Sequence, residues 1–577
     1  MRTLLALTLL APLASSQSNC PTLFDINQTG PGPGGASSFP SVLNVQADER
    51  LFFRAVDGVN GYELWSIGPV GPPALVKDLN PSLDSFPRDL HSHWDGSQWR
   101  TFFTALGTNG YELFVTDGTA SGTQEVVDLM PGSGSGIFWN NEVNPMGSLN
   151  GEVYFPGQSP QAEGFELYAS DGTAAGTRLV KELSPGADSS YPRAFVPLGG
   201  QLYFIALLPG PSPKRRSLWR TDGQAAGTHQ LASSDQGGTS FTDLTPVGSV
   251  LFFNGRLGDG SLGRELYAAL PDGTVVLVDD HLPGAGSGNP GELTAYDGKL
   301  VYSASNGSGR DLMVVDPATL LPQSIGSIAG TQLWMVAGDE HLYFGGQVQV
   351  GGNYQLGRWD GVNPPEVIIT PGLAFDFMLS GVAVGDDVFF YGKAVGGSDE
   401  LFHLDGETAT VTQVCATAAG GTLPSELHVM GSSLFYAANI GVGGYELARL
   451  DLAEAISTDL GPENTPVTLS ATAPHLGGMV ELQVAEASAG QPVVLGWSLA
   501  TSAYSTPLLT PGAAAWLDPF TFKILAVLVG GAPQTVASAV PATPGLAGLR
   551  VHAQALELPF AAFPGLASNG VALTLGS

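Results

Sequence analysis

Cysteine is nearly absent. Cys20 and Cys415 are the only two in 577 residues, which excludes a fold held by a dense disulfide framework. In an oxidising compartment the pair could join the mature N-terminus to a late repeat, if their Cα atoms come within roughly 7 Å; two free or buried thiols are the alternative. Basic residues are also scarce: 22 Lys and Arg stand against 53 Asp and Glu, for a net charge of −31. A nucleic-acid partner is excluded, because the release of counterions that drives such binding needs a cationic surface. The one basic cluster, Lys214-Arg215-Arg216, follows Pro211-Ser212-Pro213 and is expected in a solvated loop, with a local anion contact as the alternative. Long apolar runs are missing after the N-terminus. The best late candidate, Ile524 to Val529, is brief and follows Lys523, so no membrane insertion is expected once the leader is removed.

The first sixteen residues have the layout of a secretory signal. Arg2 supplies the charge, Leu4 to Leu10 the apolar run and Ala14-Ser15-Ser16 the small-residue cleavage region. Gln17-Ser18-Asn19 before Cys20 is polar where a lipobox is apolar and small. Residues 1–16 are therefore expected to be a signal peptide, and the mature protein secreted or held at the cell surface or in the periplasm.

What is abundant is glycine, 78 residues, and repetition. A Glu-Leu-aromatic phrase, or its counterpart, places a leucine at 64, 113, 167, 218, 266, 312, 356, 401 and 447, spacings of 44 to 54 residues. Each unit carries an earlier apolar-aromatic triplet, such as Leu51-Phe52-Phe53, Leu202-Tyr203-Phe204 or Leu434-Phe435-Tyr436. These short branched and aromatic runs, bounded by Gly and Asp-Gly turns, are strands. A further strand, such as Leu75 to Leu79 or Leu179 to Leu183, ends in a Pro/Gly loop. With an inner strand before each triplet, every unit holds about four antiparallel strands. Such a unit cannot bury both faces of its sheet alone, and stacking in a closed ring does it. The expected fold is all-β: a β-propeller of about nine four-stranded blades over residues 21–465, with a smaller ring plus a partly separate pair of units as the alternative. A spare outer strand stands before the first unit (Leu23-Phe24-Asp25-Ile26-Asn27) and after the last (Ala455 to Leu460), and one of them is expected to complete the last blade. From 466 the ruler stops. Alternating runs at Met479 to Val484 and Leu549 to Ala555, and a closing run at Gly570 to Leu575, predict a small C-terminal β-sandwich over 466–577.

The fullest copies run Glu112-Leu113-Phe114 to Asp117-Gly118-Thr119-Ala120-Ser121-Gly122-Thr123, and Glu166-Leu167-Tyr168 to Asp171-Gly172-Thr173-Ala174-Ala175-Gly176-Thr177. The copy at Leu218 to Thr228 is partial, and the first has Ser66-Ile67-Gly68-Pro69 in place of the Asp-Gly turn. The pattern resembles the ELWxxDGT repeat family of secreted bacterial proteins over roughly 21–465. That resemblance implies a propeller-like fold in exported or surface proteins of environmental bacteria and carries no shared catalytic residue. The tail resembles modules that accompany such repeats in planctomycete-type secreted proteins.

Candidate chemistry is sparse. The recurring acid (Glu63, Glu112, Glu166, Glu265, Glu400, Glu446, with Asp311 and Gln355 as variants) could form a cation-binding ring. A position repeated in every unit is better explained as an acceptor for backbone N–H groups of a neighbouring loop. The outer-strand acids Asp78, Asp128, Asp279 and Asp280 precede Pro/Gly loops and are the metal candidates, calcium being the cation they would suit. No Asp-x-Asp-x-Asp run exists, so no cofactor is expected. His91-Ser92-His93 could set two imidazoles on one strand face, but a surface loop or strand end beside Trp94 is the simpler expectation. Trp99 and Trp139 stand off the repeat pattern and could line a glycan surface or simply pack.

No catalytic constellation emerges. The expected role is an exported, non-enzymatic interaction or adhesion scaffold that binds protein or glycan at or outside the cell envelope. The alternatives are an extracellular polysaccharide hydrolase or lyase with its site at the channel mouth, and a structural surface-layer component. The discriminator is a cluster of two or three convergent carboxylates, or a His/Asp set, at the channel mouth that other blades do not match.

Overall fold

The computed structural model describes residues 21–452, apart from 30–35, 47–49, 133, 138–144, 161, 187, 211–213, 238–240, 258–260, 329–332, 348–353, 369, 371–372, 415–424, 432 and 439–443, together with eight strands between 468 and 557. The signal segment, both cysteines, Trp139 and the runs at 455–460 and 570–575 lie outside the described residues.

The described strands form a β-propeller. Four-stranded antiparallel sheets at 41–77, 88–127, 147–181, 193–237, 242–279 and 291–328 are blades 1 to 6. Blades 7 (333–368) and 8 (375–413) are joined into one sheet through the pair Tyr354 and Phe375. Blade 9 takes three strands from 425–451 and its outer strand, Thr22–Phe24, from the other end of the chain. Nine blades are thus present among the described residues, as the ruler predicts, and the early spare strand closes the last of them.

In each blade we denote the strands A to D in ring order. Successive blades approach most closely through their A strands, so A is innermost. Blade 9's Ser425–Met430 packs beside blade 1's Ser41–Gln46, which closes the ring. The triplets are the B strands, and their continuous apolarity has a simple cause: both faces are buried. Leu51 and Phe53 pack against Phe435 and Leu447 of blade 9, while Phe52 between them packs against Phe103 and Phe114 of blade 2.

The phrase Asp-Gly-Thr-x-x-Gly-Thr is the C–D turn, and its residues explain one another. Asp117 Oδ1 accepts from Thr119 N (2.8 Å) and Thr119 Oγ1 (2.7 Å), and the Thr116 and Thr123 hydroxyls meet at 2.6 Å. Blades 3 and 4 repeat this at Asp171 and Asp222. The first glycine has φ +89°, +87° and +97° at 118, 172 and 223. It is also where the preceding blade presses in: a Cβ on Gly223 would lie 2.5 Å from Tyr154 Oη, and one on Gly118 2.8 Å from Arg50 Nε. Lys77 and Lys181 then cap the following turn, donating to Thr123 O and Thr228 O of the next blade at 2.7 and 2.6 Å.

Beyond residue 466 two three-stranded antiparallel sheets are described, one containing Met479–Ala485 and the other Arg550–Glu557.

Candidate functional site

The link from each D strand to the next A strand lies on the same face as the B–C turns, and the recurring glutamate holds it there. Glu63 Oε2 accepts from Leu79 N (3.0 Å) and Ser85 Oγ (2.6 Å), and its Oε1 from Ser85 N (3.1 Å). Glu112 takes Leu129 N and Gly136 N, Glu166 takes Leu183 N, Ser184 N and Ser190 Oγ, and Glu265 takes His281 N and Gly288 N. Glu446 takes Ile26 N, Ser38 N and Ser38 Oγ, which staples the N-terminal closing segment to blade 9. Glu63, Glu112, Glu166 and Glu265 are 0% exposed, so no ligand reaches them. The acceptor explanation of the repeated glutamate is the one the geometry supports. Glu400 is also buried, but its link, 415–424, lies outside the described residues. Of the variants, Gln355 is exposed and Asp311 accepts from Asn306 and Ser327; the links after their blades, at 329–332 and 369–374, lie wholly or partly outside the described residues.

Burial raises Glu63, Glu112, Glu265 and Glu446 to a pKa of about 7 against the opposing pull of their hydrogen bonds, and a neighbouring aspartate adds to the rise. Those neighbours include the predicted metal candidates: Asp78 beside Glu63, Asp128 beside Glu112, and Asp279 and Asp280 beside Glu265. Asp78, Asp128 and Asp280 are equivalent members of separate blades, each with one buried carboxylate oxygen lacking a hydrogen-bond donor, so the structure does not assemble them into one site. Asp279 accepts from Tyr302 Oη (2.7 Å) and pairs with His281 (3.2 Å).

Other candidates find structural partners. His91 and His93 sit on the innermost strand of blade 2, Arg88–Trp94, not in a surface loop, and both contact Ser148 Oγ of blade 3 at 2.6 and 3.0 Å. Trp99 packs edge-on to Trp94, centroids 5.7 Å apart. Lys214 pairs with Asp188 (3.0 Å), and Arg215 and Arg216 open a C strand, so the basic run begins a strand where a loop is expected. Among the described residues, one metal-compatible trio appears, Glu340, His341 and Asp386. There Asp386 already accepts from two backbone N–H groups and Tyr343 Oη and contacts His341 Nδ1, which makes it a turn latch between blades 7 and 8.

The feature that breaks the repeat is Arg54. It follows the blade 1 triplet, where other blades carry Thr104, Ile205, Asn254, Ser303 or Ala437 at the same register. Arg54 lines a cavity of about 420 Å³ on the link face, between blades 9, 1 and 2, with Arg88, Phe39, Tyr62, Phe86 and Tyr445 among its walls. Arg54 Nε and Nη2 donate to Ser41 Oγ at 3.2 and 2.9 Å, and its guanidinium lies 5.8 Å from the Tyr62 centroid. Burial, and then Arg88, push its pKa below the ordinary arginine value, while Glu426 acts the other way. Tyr62 stacks on Phe86 at 5.3 Å and Phe39 on Tyr445 at 6.3 Å. Two guanidiniums and two aromatic pairs therefore converge in a chain that is elsewhere strongly acidic. In the sequence Arg54 stands directly after the triplet Leu51-Phe52-Phe53.

No family model matches the chain, and no curated protein matches it. Solved structures do. A puromycin-hydrolysing peptidase of Mycobacterium tuberculosis is 13% identical with a TM-score of 0.38, over 73% of this chain and 63% of its own. An oligogalacturonate lyase in complex with manganese is 13% identical with a TM-score of 0.34, over 73% and 99%. TolB of Acinetobacter baumannii is 16% identical with a TM-score of 0.26, over 51% and 78%. The chain spans 58% of the length of two further puromycin hydrolase structures.

Proposed function

We propose that the protein is an exported, non-enzymatic interaction scaffold of the ELWxxDGT repeat type, which binds a protein or glycan partner at or outside the cell envelope through the link face of its propeller. The observation that carries this reading is the cavity between blades 9, 1 and 2. It is lined by binding groups, two arginines and four aromatic rings, and its Arg54 departs from the repeat. A rigid ring of blades holding variable links in register is suited to recognition. The repeated glutamates are spent on the links, fully buried and bonded to backbone N–H groups, so they serve the scaffold.

The test is binding of the purified mature protein to arrays of glycans and of envelope proteins, with calcium and again with chelator, every bound glycan being checked for cleavage. Retained, uncleaved ligand supports the scaffold reading. Cleavage replaces it with a hydrolase or lyase, and self-association without any ligand replaces it with a structural surface component.

A further inference from the structure

We propose that in blades 1, 2 and 5 the clamp glutamate and the aspartate facing it across strands C and D hold one proton between them, and that loss of this proton weakens the hold on the link. The inference concerns the clamps and stands whatever the link face binds.

The strand register sets two acids opposite each other. Strands C and D pair at Leu64 and Lys77 in blade 1, Leu113 and Val127 in blade 2, and Leu266 and Asp279 in blade 5. One residue further along, Glu63 faces Asp78, Glu112 faces Asp128 and Glu265 faces Asp280. Like charges directly opposite on neighbouring strands repel, and these glutamates are fully buried. The leading charges acting on them are negative: Asp78 on Glu63, Asp128 and then Glu125 on Glu112, Asp280 and then Asp279 on Glu265. Of the more distant pair, Glu125 accepts from Asn109 Nδ2 at 3.0 Å. Asp279 accepts from Tyr302 Oη and meets His281 Nδ1, and His281 Nε2 meets Asp311.

The aspartates each leave an acceptor empty. One carboxylate oxygen of Asp78, of Asp128 and of Asp280 is buried and receives no hydrogen bond, although buried acceptors are nearly always satisfied. Glu112 takes one link donor on each oxygen, which leaves each oxygen a second site. A proton on the glutamate answers both features. It removes one of two opposed charges, and it supplies the donor that the aspartate oxygen lacks.

Other blades put a hydroxyl at the same two positions. In blade 6 the pair is Asp311 opposite Ser327, and Ser327 Oγ donates to Asp311 Oδ1 at 2.6 Å. Side chains at these positions therefore reach each other, with a hydrogen between them. Blade 4 opposes Ser217 and Ser233, which carry no charge. Blade 3 has Glu182 in place of the aspartate, and its Oε1 accepts instead from Gly186 N of its own loop at 3.1 Å. In blade 9 the aspartate, Asp25, is exposed. Among the described residues, blades 1, 2 and 5 alone oppose two acids and leave a buried oxygen without a donor.

The direction of the effect follows from linkage. Burial, with the opposed aspartate adding to it, raises Glu63, Glu112 and Glu265 from 4.5 to about 7. A clamped link thus holds the proton more tightly than an open one, where the glutamate meets water. The proton's contribution is complete below about pH 4.5 and is lost as pH rises to about 7. In blade 2 the N–H groups affected are those of Leu129 and Gly136, and in blade 1 those of Leu79 and Ser85.

The test is hydrogen exchange by mass spectrometry on the mature protein from pH 5 to pH 8, reading peptides that span 79–85 and 129–137 and correcting for the ordinary rise of exchange with pH. Protection of both links is expected to fall at least about tenfold across this range. Asp128→Asn gives Glu112 an amide donor in place of the shared proton. It should move the midpoint for the blade 2 link down by at least about one pH unit, while that for blade 1 stays in place. Asp128→Ser copies the pair in blade 6 and should act in the same direction, so it provides the test if the amide variant melts early. An unchanged midpoint in both variants overturns the inference, as does wild-type protection that does not vary with pH. Protection restored at pH 8 by calcium and lost again with chelator also overturns it, since a metal ion would then fill the pair.

Discussion

Gly122 lies against the carboxylate of Asp117, so close that a Cβ at residue 122 would overlap both carboxylate oxygens. The same holds for Gly176 with Asp171 and Gly227 with Asp222. The second glycine of the repeat phrase is therefore required by space. The first glycine has a positive φ, and the second does not. Gly176→Ala should cost about 1–3 kcal/mol, the usual range for overpacking, seen as a lower midpoint of chemical unfolding. Adding Asp171→Ala should restore part of the loss, a coupling that a double-mutant cycle resolves. Strictly additive losses would show that the carboxylate is not what excludes the methyl group.

The buried glutamates make a pH prediction with a definite sign. Glu112 is raised from 4.5 to about 7, chiefly by burial, with Asp128 adding to it. The folded protein thus binds this proton more tightly than the unfolded chain. Its contribution is complete below about pH 4.5 and is lost as pH rises to about 7. Glu63, Glu265 and Glu446 act in the same direction. Glu112→Gln keeps the size and removes the titration, and it orphans one of two backbone donors. It should cost about 1–3 kcal/mol, more at pH 5.5 than at pH 8. A cost that grows with pH would mean that Glu112 is ionised in the fold throughout.

The blades were legible because their cause is local. Leu51-Phe52-Phe53 must bury both faces, so the run is apolar at every position, and spacing does the rest. The closing strand was legible as one of two spare phrases; Thr22–Phe24 fills the place because Glu446 reaches Ile26 N and Ser38 N. The pocket was not legible as a pocket. Arg54 and Arg88 stand on consecutive blades, and Tyr445, nearly 400 positions from Arg54, joins them only through ring closure. In the sequence Arg54 is only a charged residue directly after the triplet Leu51-Phe52-Phe53. The Pro-Ser-Pro before the basic run at 214–216 reads as a loop and masks the start of the strand at Arg215.

Ring closure rests on a three-residue pairing, Thr22 with Arg449, Leu23 with Ala448 and Phe24 with Leu447. Leu23→Pro removes a backbone donor within this short outer strand. The expected result is a lower melting temperature and concentration-dependent self-association, since blade 9 would then present an open edge. Light scattering and thermal melting measure both. An unchanged, monomeric variant would show that the clamp at Glu446 closes the ring without the strand.

Ser148 has one hydroxyl proton and two histidine neighbours, His91 Nε2 at 2.6 Å and His93 Nδ1 at 3.0 Å. The hydroxyl can donate to one ring nitrogen while accepting from an N–H of the other, so the arrangement needs at least one neutral imidazole with its lone pair toward Ser148. Burial, with His93 adding to it, pushes His91 from 6.5 down to about 4. The sign is opposite to that of the glutamates. The folded state disfavours the proton, so this contribution is present above about pH 6.5 and is lost as pH falls toward 4. Ser148→Ala should cost about 1–3 kcal/mol at pH 7.5 and about as much at pH 5, where His91 is still neutral in the fold. Histidine ring resonances followed by NMR through the same range should place His91 below the ordinary value in the wild type. A normal titration near 6.5 would remove the buried, neutral His91 from the account of how these two inner strands are joined.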